Sequence, residues 1–197
     1  MSFRLGLTGS IGMGKSTTAK LFAEAGCDVW DADAAVHRLY SKGGAAVGPM
    51  GAAFPEAIVN GEVSRAALKE IISRDENALR RIESIVHPLV GEDRAAFIAR
   101  SGSDIVVLDI PLLFETGGNT RVDAVAVASI DAETQRARVL ERGTMTEAQF
   151  EAILSKQVPD TEKRAKADYV IITDTVEHAR AQVQNVIADI RKRLGDA

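Results

Sequence analysis

One short motif constrains the fold of this chain more than any other feature. Residues 9–16 read GSIGMGKS and fit the pattern GxxxxGK followed by Ser or Thr. Residues 3–8, just before the motif, are mostly apolar and predict a buried strand, and residues 17–25, just after it, predict a helix. A strand, a glycine loop and a helix in this order are typical of a loop that wraps around phosphate groups. The motif therefore predicts an α/β fold that binds a nucleotide.

Each residue type of the loop has a chemical reason to be there. Glycines let the backbone amides turn inward, Lys15 neutralises the outer phosphates, and the Ser16 hydroxyl can bind Mg²⁺. A chance match to the four fixed positions has a frequency of about 1% in a chain of this length, so we prefer nucleotide binding to a plain glycine-rich turn. The predicted nucleotide-binding residues are Gly9, Ile11, Gly12, Met13, Gly14, Lys15, Ser16 and Thr17.

Four further apolar segments predict the remaining strands of one sheet: residues 27–30, 105–108, 122–128 and 169–172. Their nearly continuous apolar character is typical of a parallel sheet that is covered on both faces. Residues 34–100 show helical periodicity and no convincing strand. We expect a doubly wound five-stranded parallel sheet with three parts: a nucleotide-binding core (residues 1–33, 101–130 and 167–197), a helical acceptor-binding insertion (34–100) and a helical lid (131–166).

Capping residues predict where the helices begin and end. Ser64 is expected to cap one helix of the insertion, and Asp75 a second helix that ends before Pro88. In the lid, Asp131 is an expected N-cap, and residues 146–149 fit a capping box for a helix that Pro159 and the charged residues 160–166 end. The last helix is expected over residues 176–194, with an apolar stripe of Val183, Val186, Ile187, Ile190 and Leu194.

Acidic and basic side chains near the predicted phosphate loop are candidates for chemistry. Asp109 ends the aliphatic run 105–108 and is expected to support Mg²⁺. Asp33 follows the second strand, whose carboxyl end opens onto the same crevice in a doubly wound sheet, so it is either a general base or a helix N-cap. Arg138 and Arg142 share a helical face with Gln135 and could clamp a moving phosphoryl group, the alternative being solvated surface charges.

Composition excludes several other classes of protein. Lys and Arg number 24 against 28 Asp and Glu, so the formal charge is −4 and the chain has no overall attraction for nucleic acid or an anionic membrane. A single cysteine, Cys27, and three widely spaced histidines disfavour disulfides and zinc sites. No run of about 18 apolar residues predicts a membrane-spanning helix. We expect a cytoplasmic protein without nucleic-acid or membrane partners.

Taken together, these motifs resemble those of the dephospho-CoA kinase family. The resemblance rests on the phosphate loop, the Asp31-Ala32-Asp33 triplet with His37, the His87-Pro88 pair, DIPLLFE at residues 109–115, the arginine helix and ADYVI at 167–171. It runs over nearly the whole chain. Many relatives carry Asn-x-Gly where this chain has Thr173-Asp174-Thr175, so contacts with the adenine edge are expected to differ here.

The resemblance implies the activity and the roles of single residues. It implies ATP-dependent phosphorylation of the ribose 3′-hydroxyl of dephospho-CoA, the last step of coenzyme A synthesis, with Mg²⁺. Asp33 would be the general base, with Lys15, Arg138 and Arg142 also catalytic. The acceptor would be held by Asp33, His37, Arg65, Arg81 and His87. For His87, the alternative is a packed histidine that precedes a proline. We expect a monomer or a weak homo-oligomer.

Two other functions compete with this interpretation. A shikimate or nucleoside monophosphate kinase shares the core, the base position and an arginine lid, but the long helical insertion and the DIPLLFE string argue against it. A non-catalytic nucleotide-binding regulator would keep Lys15 without needing Asp33 and the paired arginines together. A GTPase switch is disfavoured because the sequence has no Asn-Lys pair.

Overall fold

The computed structural model describes residues 2–195. Strands and helices alternate over much of this range. In chain order they are β1 (Phe3–Thr8), α1 (Lys15–Glu24), β2 (Asp28–Asp31), α2 (Ala32–Tyr40), α3 (Val47–Ala53), β3 (Ile58–Val59), β4 (Glu62–Val63), α4 (Arg65–Arg74), α5 (Ala78–Arg100), β5 (Ile105–Asp109), β6 (Ala124–Ser129), α6 (Ala132–Glu141), α7 (Glu147–Leu154), α8 (Asp160–Lys166), β7 (Tyr169–Ile172) and α9 (Val176–Gly195).

The main sheet confirms the predicted five-stranded architecture. Its strand order is β2-β5-β1-β6-β7, with β1 in the middle. Strand β1 pairs in parallel with β5 and β6, and β6 pairs in parallel with β7. Because the order reverses beside β1, the loop at the carboxyl end of this strand lies at the topological switch point, where open α/β sheets bind their ligands.

Contacts within the chain divide it into two compact units. The first, here called the core unit, contains the residues up to Trp30 and those from Ser101 onward. Helices α1 and α9 cover one face of its sheet, because Phe22 and Val183 pack with Leu5 and Leu7 in a single apolar cluster. The single cysteine of the chain, Cys27, also packs in this cluster and is 5% exposed. Burial raises the pKa of its thiol to about 11.

The second unit, here called the helical unit, is Asp31–Arg100. Its helices α2 to α5 enclose an apolar core of their own. The prediction that residues 34–100 contain no strand is wrong, because β3 and β4 form a short antiparallel hairpin. Asn60 and Gly61, with φ of 53° and 82°, make its turn, and an Asn-Gly pair is a recognised hairpin signal. Each strand has only two residues, so the sequence cannot show the alternation of apolar and polar residues that predicts a strand.

Two predicted features of α4 and α5 are also wrong. Helix α5 does not end before Pro88 but continues through it to Arg100. An internal proline costs about 3 kcal/mol, but Val86 before it and Val90 after it pack against the same apolar core, so packing outweighs the local cost. Asp75 does not cap α5. Its carboxylate accepts the Asn77 N–H at 2.8 Å and closes the turn between the two helices.

The capping predictions for the lid segment are confirmed, but the segment contains one more helix than expected. Asp131 accepts the Thr134 N–H at 2.8 Å, and the capping box of α7 is complete. Residues 160–166, which were predicted only to end the preceding helix, form helix α8, with acidic residues in its first turn and basic residues in its last. At the end of the chain, Leu194 is 40% exposed, so it does not join the buried stripe of α9. Over the described residues, no helix is long and apolar enough to span a membrane.

Candidate active site

The phosphate loop connects β1 to α1 and has a backbone shape that only glycine accommodates at two positions. Gly12 and Gly14 have φ of 78° and 83°. A Cβ atom at Gly12 would lie 2.5 Å from Val139 Cγ2, and one at Gly14 would lie 2.9 Å from Thr173 Oγ1. Left-handed backbone and the lack of space therefore both require glycine here. Lys15, Ser16 and Thr17 begin α1, whose positive end faces the loop.

Side chains from other elements hold two carbonyl oxygens of the loop. Gln135 Nε2 donates to the Ile11 carbonyl at 2.7 Å, and Thr173 Oγ1 donates to the Met13 carbonyl at 2.7 Å. Thr173 is itself fixed by Arg138, which donates to its hydroxyl at 3.1 Å and to its carbonyl at 2.6 Å. The structure thus brings the predicted residues Gln135 and Arg138 to the phosphate loop.

Lys15 and Asp109 form an ion pair beside the loop. Lys15 is the first residue of α1, and Asp109 is the last residue of β5, the strand next to β1. The Asp109 side chain is only 4% exposed, and that of Lys15 is 17% exposed. The predicted position of Asp109 at the end of a buried strand near the loop is therefore confirmed.

A cavity of about 160 Å³ adjoins the loop, and both predicted lid arginines line it. Gly14 and Thr17 form one part of its wall, and Arg138 and Arg142 another. Arg138 lies on α6, and Arg142 is the residue that ends this helix, so both guanidinium groups reach the same cavity. Arg136, on the same helix, instead forms an ion pair with Glu147. Two guanidinium groups and a helix N-terminus around one cavity favour an anionic ligand.

In the helical unit, the structure separates two roles that the sequence left open for Asp33. The N-cap of α2 is Asp31, whose Oδ1 accepts the Ala34 N–H at 2.9 Å. The alternative in which Asp33 is the cap is therefore wrong. Asp33 lies in the first turn, exposed, with His37 four residues later on the same helix. Its carboxylate is not used for capping and is available to a ligand.

The other predicted acceptor residues lie at several places in the helical unit. The Arg65 guanidinium lies 5.7 Å from the centre of the Tyr40 ring. Arg81 stacks on Phe54 at 4.5 Å and lines a cavity of about 350 Å³ together with Ile71. His87 lies exposed on α5. This cavity offers apolar surface, a guanidinium group and carboxylates, which suits a ligand with both methylene and amide groups.

Two residues of the lid segment make contacts that the sequence analysis did not predict. Gln157, between α7 and α8, accepts the Ile11 N–H with Oε1 at 3.1 Å. Lys163, on α8, is fully buried, and its ammonium lies 2.8 Å from Oε1 of Glu115. Burial alone would raise the pKa of Glu115, but the Lys163 ammonium and the Val158 N–H lower it overall. The burial of Lys163 has no local signal, because its neighbours in sequence are charged.

Comparison with known proteins identifies the family. The family model for dephospho-CoA kinase matches residues 3–178, which is most of the chain. The chain belongs to the dephospho-CoA kinase family. Among its relatives, a dephospho-CoA kinase from Ruegeria pomeroyi is 66% identical over 191 residues, covering 97% of each chain. This match decides between the family and the shikimate-type alternative.

Solved structures support the same assignment at the level of the fold. A crystal structure of a Thermus thermophilus protein has a TM-score of 0.85 and 30% identity, covering 95% of this chain and 97% of the other. A dephospho-CoA kinase from Campylobacter jejuni has a TM-score of 0.65 and 22% identity, covering 96% and 97%. The second likeness shows the shared fold of the family at low sequence identity.

Proposed function

We propose that this chain transfers the γ-phosphoryl group of ATP to the ribose 3′-hydroxyl of dephospho-CoA, giving CoA and ADP. Family membership supports the choice of substrates. The observation that carries the chemistry is the cavity beside Gly14, where the phosphate loop and the guanidinium groups of Arg138 and Arg142 come together. Phosphoryl transfer needs little covalent help from the protein, so positioning and charge stabilisation account for most of the catalysis.

The core unit binds the nucleotide. The loop amides and the N-terminus of α1 hold the phosphates, and Lys15 neutralises the outer ones. Thr173 and Thr175 line the same cavity, which is where the nucleoside would bind. Arg138 and Arg142 stabilise the negative charge that spreads over the transferred group in the transition state.

The oxygen donors at the loop fit a hard cation. Ser16 is exposed at the start of α1, and the Asp109 carboxylate, at the end of β5, is nearly buried and paired with Lys15. Among residues 2–195, no group of three or more His, Cys, Asp or Glu side chains could enclose a metal. A sparse set of protein ligands is usual for Mg²⁺, which keeps several waters and binds mainly to substrate phosphates. We assign the Ser16 hydroxyl as its protein ligand and Asp109 as a carboxylate that would support the ion through its water shell. The Mg²⁺ ion would supply charge neutralisation at the phosphates.

Asp33 is the general base in this proposal. The acceptor 3′-oxygen attacks the γ-phosphorus, its bond to phosphorus forms, and the bond to the β,γ-bridging oxygen breaks, so that ADP leaves. The Asp33 carboxylate accepts the proton that the hydroxyl loses. His37, Arg65, Arg81 and His87 hold the acceptor, and the apolar and polar lining of the cavity at Arg81 suits the pantetheine arm.

Production of ADP from Mg-ATP tests the function. The purified protein would be offered dephospho-CoA, shikimate, a panel of nucleoside monophosphates or no acceptor. We expect stimulation by dephospho-CoA alone, with a product phosphorylated at the ribose 3′ position. Turnover with another acceptor would refute the substrate, and ATP binding without any turnover would favour the nucleotide-binding regulator.

A matched pair of variants tests the base. Asp33→Asn removes the proton acceptor and should lower kcat by at least about 10²-fold while ATP still binds. Asp31→Asn changes a carboxylate only two residues away, and asparagine caps helices as well as aspartate does, so its turnover should stay near that of the wild type. Equal turnover in the two variants would contradict the assignment of Asp33.

A further inference from the structure

The direction of each peptide group decides whether the loop can bind phosphate. A peptide bond is planar and trans, so the carbonyl of one residue and the N–H of the next point in opposite directions. An N–H that faces an anion therefore requires the preceding carbonyl to face the protein, and a carbonyl turned into the protein needs a hydrogen-bond donor. The residues that supply these donors fix the orientation of the loop amides.

Gln135 supplies one of these donors from α6. Its side chain is 4% exposed, and its Nε2 atom donates to the Ile11 carbonyl at 2.7 Å. This contact holds the Ile11 carbonyl toward α6, so the N–H of Gly12 points away from α6. In the proposed complex with nucleotide, that N–H is left to face the phosphates. Without the donor, the carbonyl would lose its partner in a partly buried place, and the peptide between Ile11 and Gly12 could rotate.

Gln157 also contacts Ile11, but it accepts a hydrogen bond where Gln135 donates one. Its Oε1 atom accepts the Ile11 N–H at 3.1 Å. This N–H points into the protein and not toward a ligand, so Gln157 restrains the loop without turning an amide toward phosphate. Two glutamines from the lid segment thus hold the two polar groups of Ile11, but only one of them orients an amide of the anion site.

We propose that Gln135 is a positioning residue for the phosphates of ATP, acting through the Ile11 carbonyl on the Gly12 N–H, and that Gln157 has no such role. The inference rests on the proposed function, since it takes the nucleotide phosphates as the ligand of the loop. Gln135 does not touch the phosphates. It acts by keeping one peptide group in the orientation that binds them.

The same substitution at the two positions separates the roles. Gln135→Glu replaces a donor by a carboxylate, which when ionised can only accept, so the Ile11 carbonyl loses its partner. Gln157→Glu keeps an acceptor for the Ile11 N–H and strengthens it by charge. Both variants add one negative charge next to Ile11, so repulsion of the nucleotide by that charge is matched. Measurement at pH 8, well above the ordinary pKa of a glutamate side chain, favours the ionised form of both carboxylates against the effect of burial.

The readout is the affinity for ADP and for adenosine, measured by calorimetry on the full chain. We expect Gln135→Glu to bind ADP about 10- to 100-fold more weakly than Gln157→Glu, the range expected for a lost hydrogen bond to a charged group. Adenosine lacks phosphates, so its affinity should be the same in both variants. In steady-state kinetics, the KM for ATP should rise in Gln135→Glu while the KM for dephospho-CoA stays unchanged.

Other outcomes would overturn the inference. Equal losses of ADP affinity in the two variants would mean that only the added charge matters. A parallel loss of adenosine and ADP affinity in Gln135→Glu would mean that Gln135 only supports the fold. Should Gln135→Glu fail to fold, Gln135→Met removes the donor to the Ile11 carbonyl and Gln157→Met removes the acceptor of the Ile11 N–H, both without adding charge. The larger loss of ADP affinity is again expected in Gln135→Met. A wild-type chain that bound ADP no better than adenosine would refute the phosphate site of the proposed function itself, together with this inference.

Discussion

At the scale of single residues, the two glycines Gly12 and Gly26 share a left-handed backbone but not their surroundings. Their φ angles are 78° and 93°, and an added Cβ would collide with Val139 at Gly12 but meet nothing within 4 Å at Gly26. Gly26→Ala should therefore lower the free energy of unfolding by about 1–2 kcal/mol through backbone strain alone, with unchanged ADP affinity. Gly12→Ala should lower both stability and ADP affinity, the latter by at least about tenfold, because the loop must move to relieve the collision.

Denaturant unfolding and ADP titration of both variants would check this prediction. The Gly26 variant is the control for strain, because it lies outside the phosphate loop. Equal ADP affinities in the two variants would show that the loop tolerates the displacement.

Two arginines of the lid segment also differ in their surroundings. Arg142 lines the cavity next to Gly14, whereas Arg136 pairs with Glu147. If Arg142 stabilises charge on the transferred phosphoryl group, Arg142→Ala should lower kcat by on the order of 10³-fold and change the affinity for ATP much less. Arg136→Ala removes one guanidinium from the same segment and should leave kcat nearly unchanged. Steady-state kinetics would measure kcat for both variants. Similar kcat values would contradict the role of Arg142 in stabilising the transferred phosphoryl group.

At the scale of elements, a buried ion pair anchors helix α8 within the core unit. Lys163 on α8 is fully buried against Glu115, which lies in the segment after β5. Lys163→Met should lower the free energy of unfolding by about 3–5 kcal/mol, because it leaves the Glu115 carboxylate buried without its partner. Adding Glu115→Gln to that variant should restore much of the loss. Denaturant unfolding of the single and double variants measures this, and strictly additive losses would contradict the coupling of the pair.

The same pair predicts how stability depends on pH. Since folding lowers the pKa of Glu115, its ionised form contributes stability that is fully present above its unfolded pKa of about 4.3. That contribution is lost as the pH falls through the lower pKa of the folded state. The difference in unfolding free energy between the wild type and Glu115→Gln should therefore be constant above about pH 5 and shrink below pH 4. A difference independent of pH over the whole range would contradict the lowered pKa.

The elements that could be predicted from the sequence are those fixed by contacts close in the chain. Ser64, Asp131 and Thr146 each cap a helix through a hydrogen bond to an N–H three residues later, so the sequence carries the whole signal. Helix α8 was missed because its one buried side chain, Lys163, is stabilised by a partner 48 positions earlier, at Glu115. A local sequence pattern carries no information about a contact between residues so far apart in the chain.

In the candidate site, too, the features set by nearby residues were predictable and those set by distant contacts were not. The phosphate loop and the positions of Asp109 and Arg142 were predictable, because a glycine motif, a strand end and a helical spacing place them. The roles within the Asp31-Ala32-Asp33 triplet were not, because a shift of the helix start by two residues exchanges the capping aspartate with the free one. Gln157 could not have been found, since its contact with Ile11 spans 146 residues.

At the scale of the whole molecule, the two units have separate apolar cores, and the proposed function assigns them different ligands. ADP should slow amide hydrogen exchange in residues 9–17 and 173–176 of the core unit, because binding stabilises the state in which these amides are protected. Dephospho-CoA should slow exchange in α2, α4 and the first half of α5 in the helical unit. Mass spectrometry of exchange with each ligand alone would check this.

The control for this prediction is Lys15→Ala, which should lose the protection by ADP and keep that by dephospho-CoA. Protection of the helical unit by ADP alone would contradict the division of ligands between the two units. Protection of neither unit by dephospho-CoA would contradict the acceptor assignment.

The burial of Cys27 has a consequence for redox chemistry. Dephospho-CoA and CoA both end in a thiol, and a thiol substrate that becomes oxidised can form a mixed disulfide with an accessible protein cysteine. Such exchange requires the thiolate, and with a pKa of about 11 Cys27 is ionised in only about one molecule in 10⁴ at pH 7. Its side chain is also packed among aliphatic residues of the core unit. This chain can therefore work among coenzyme thiols and their disulfides without its own cysteine being modified by them.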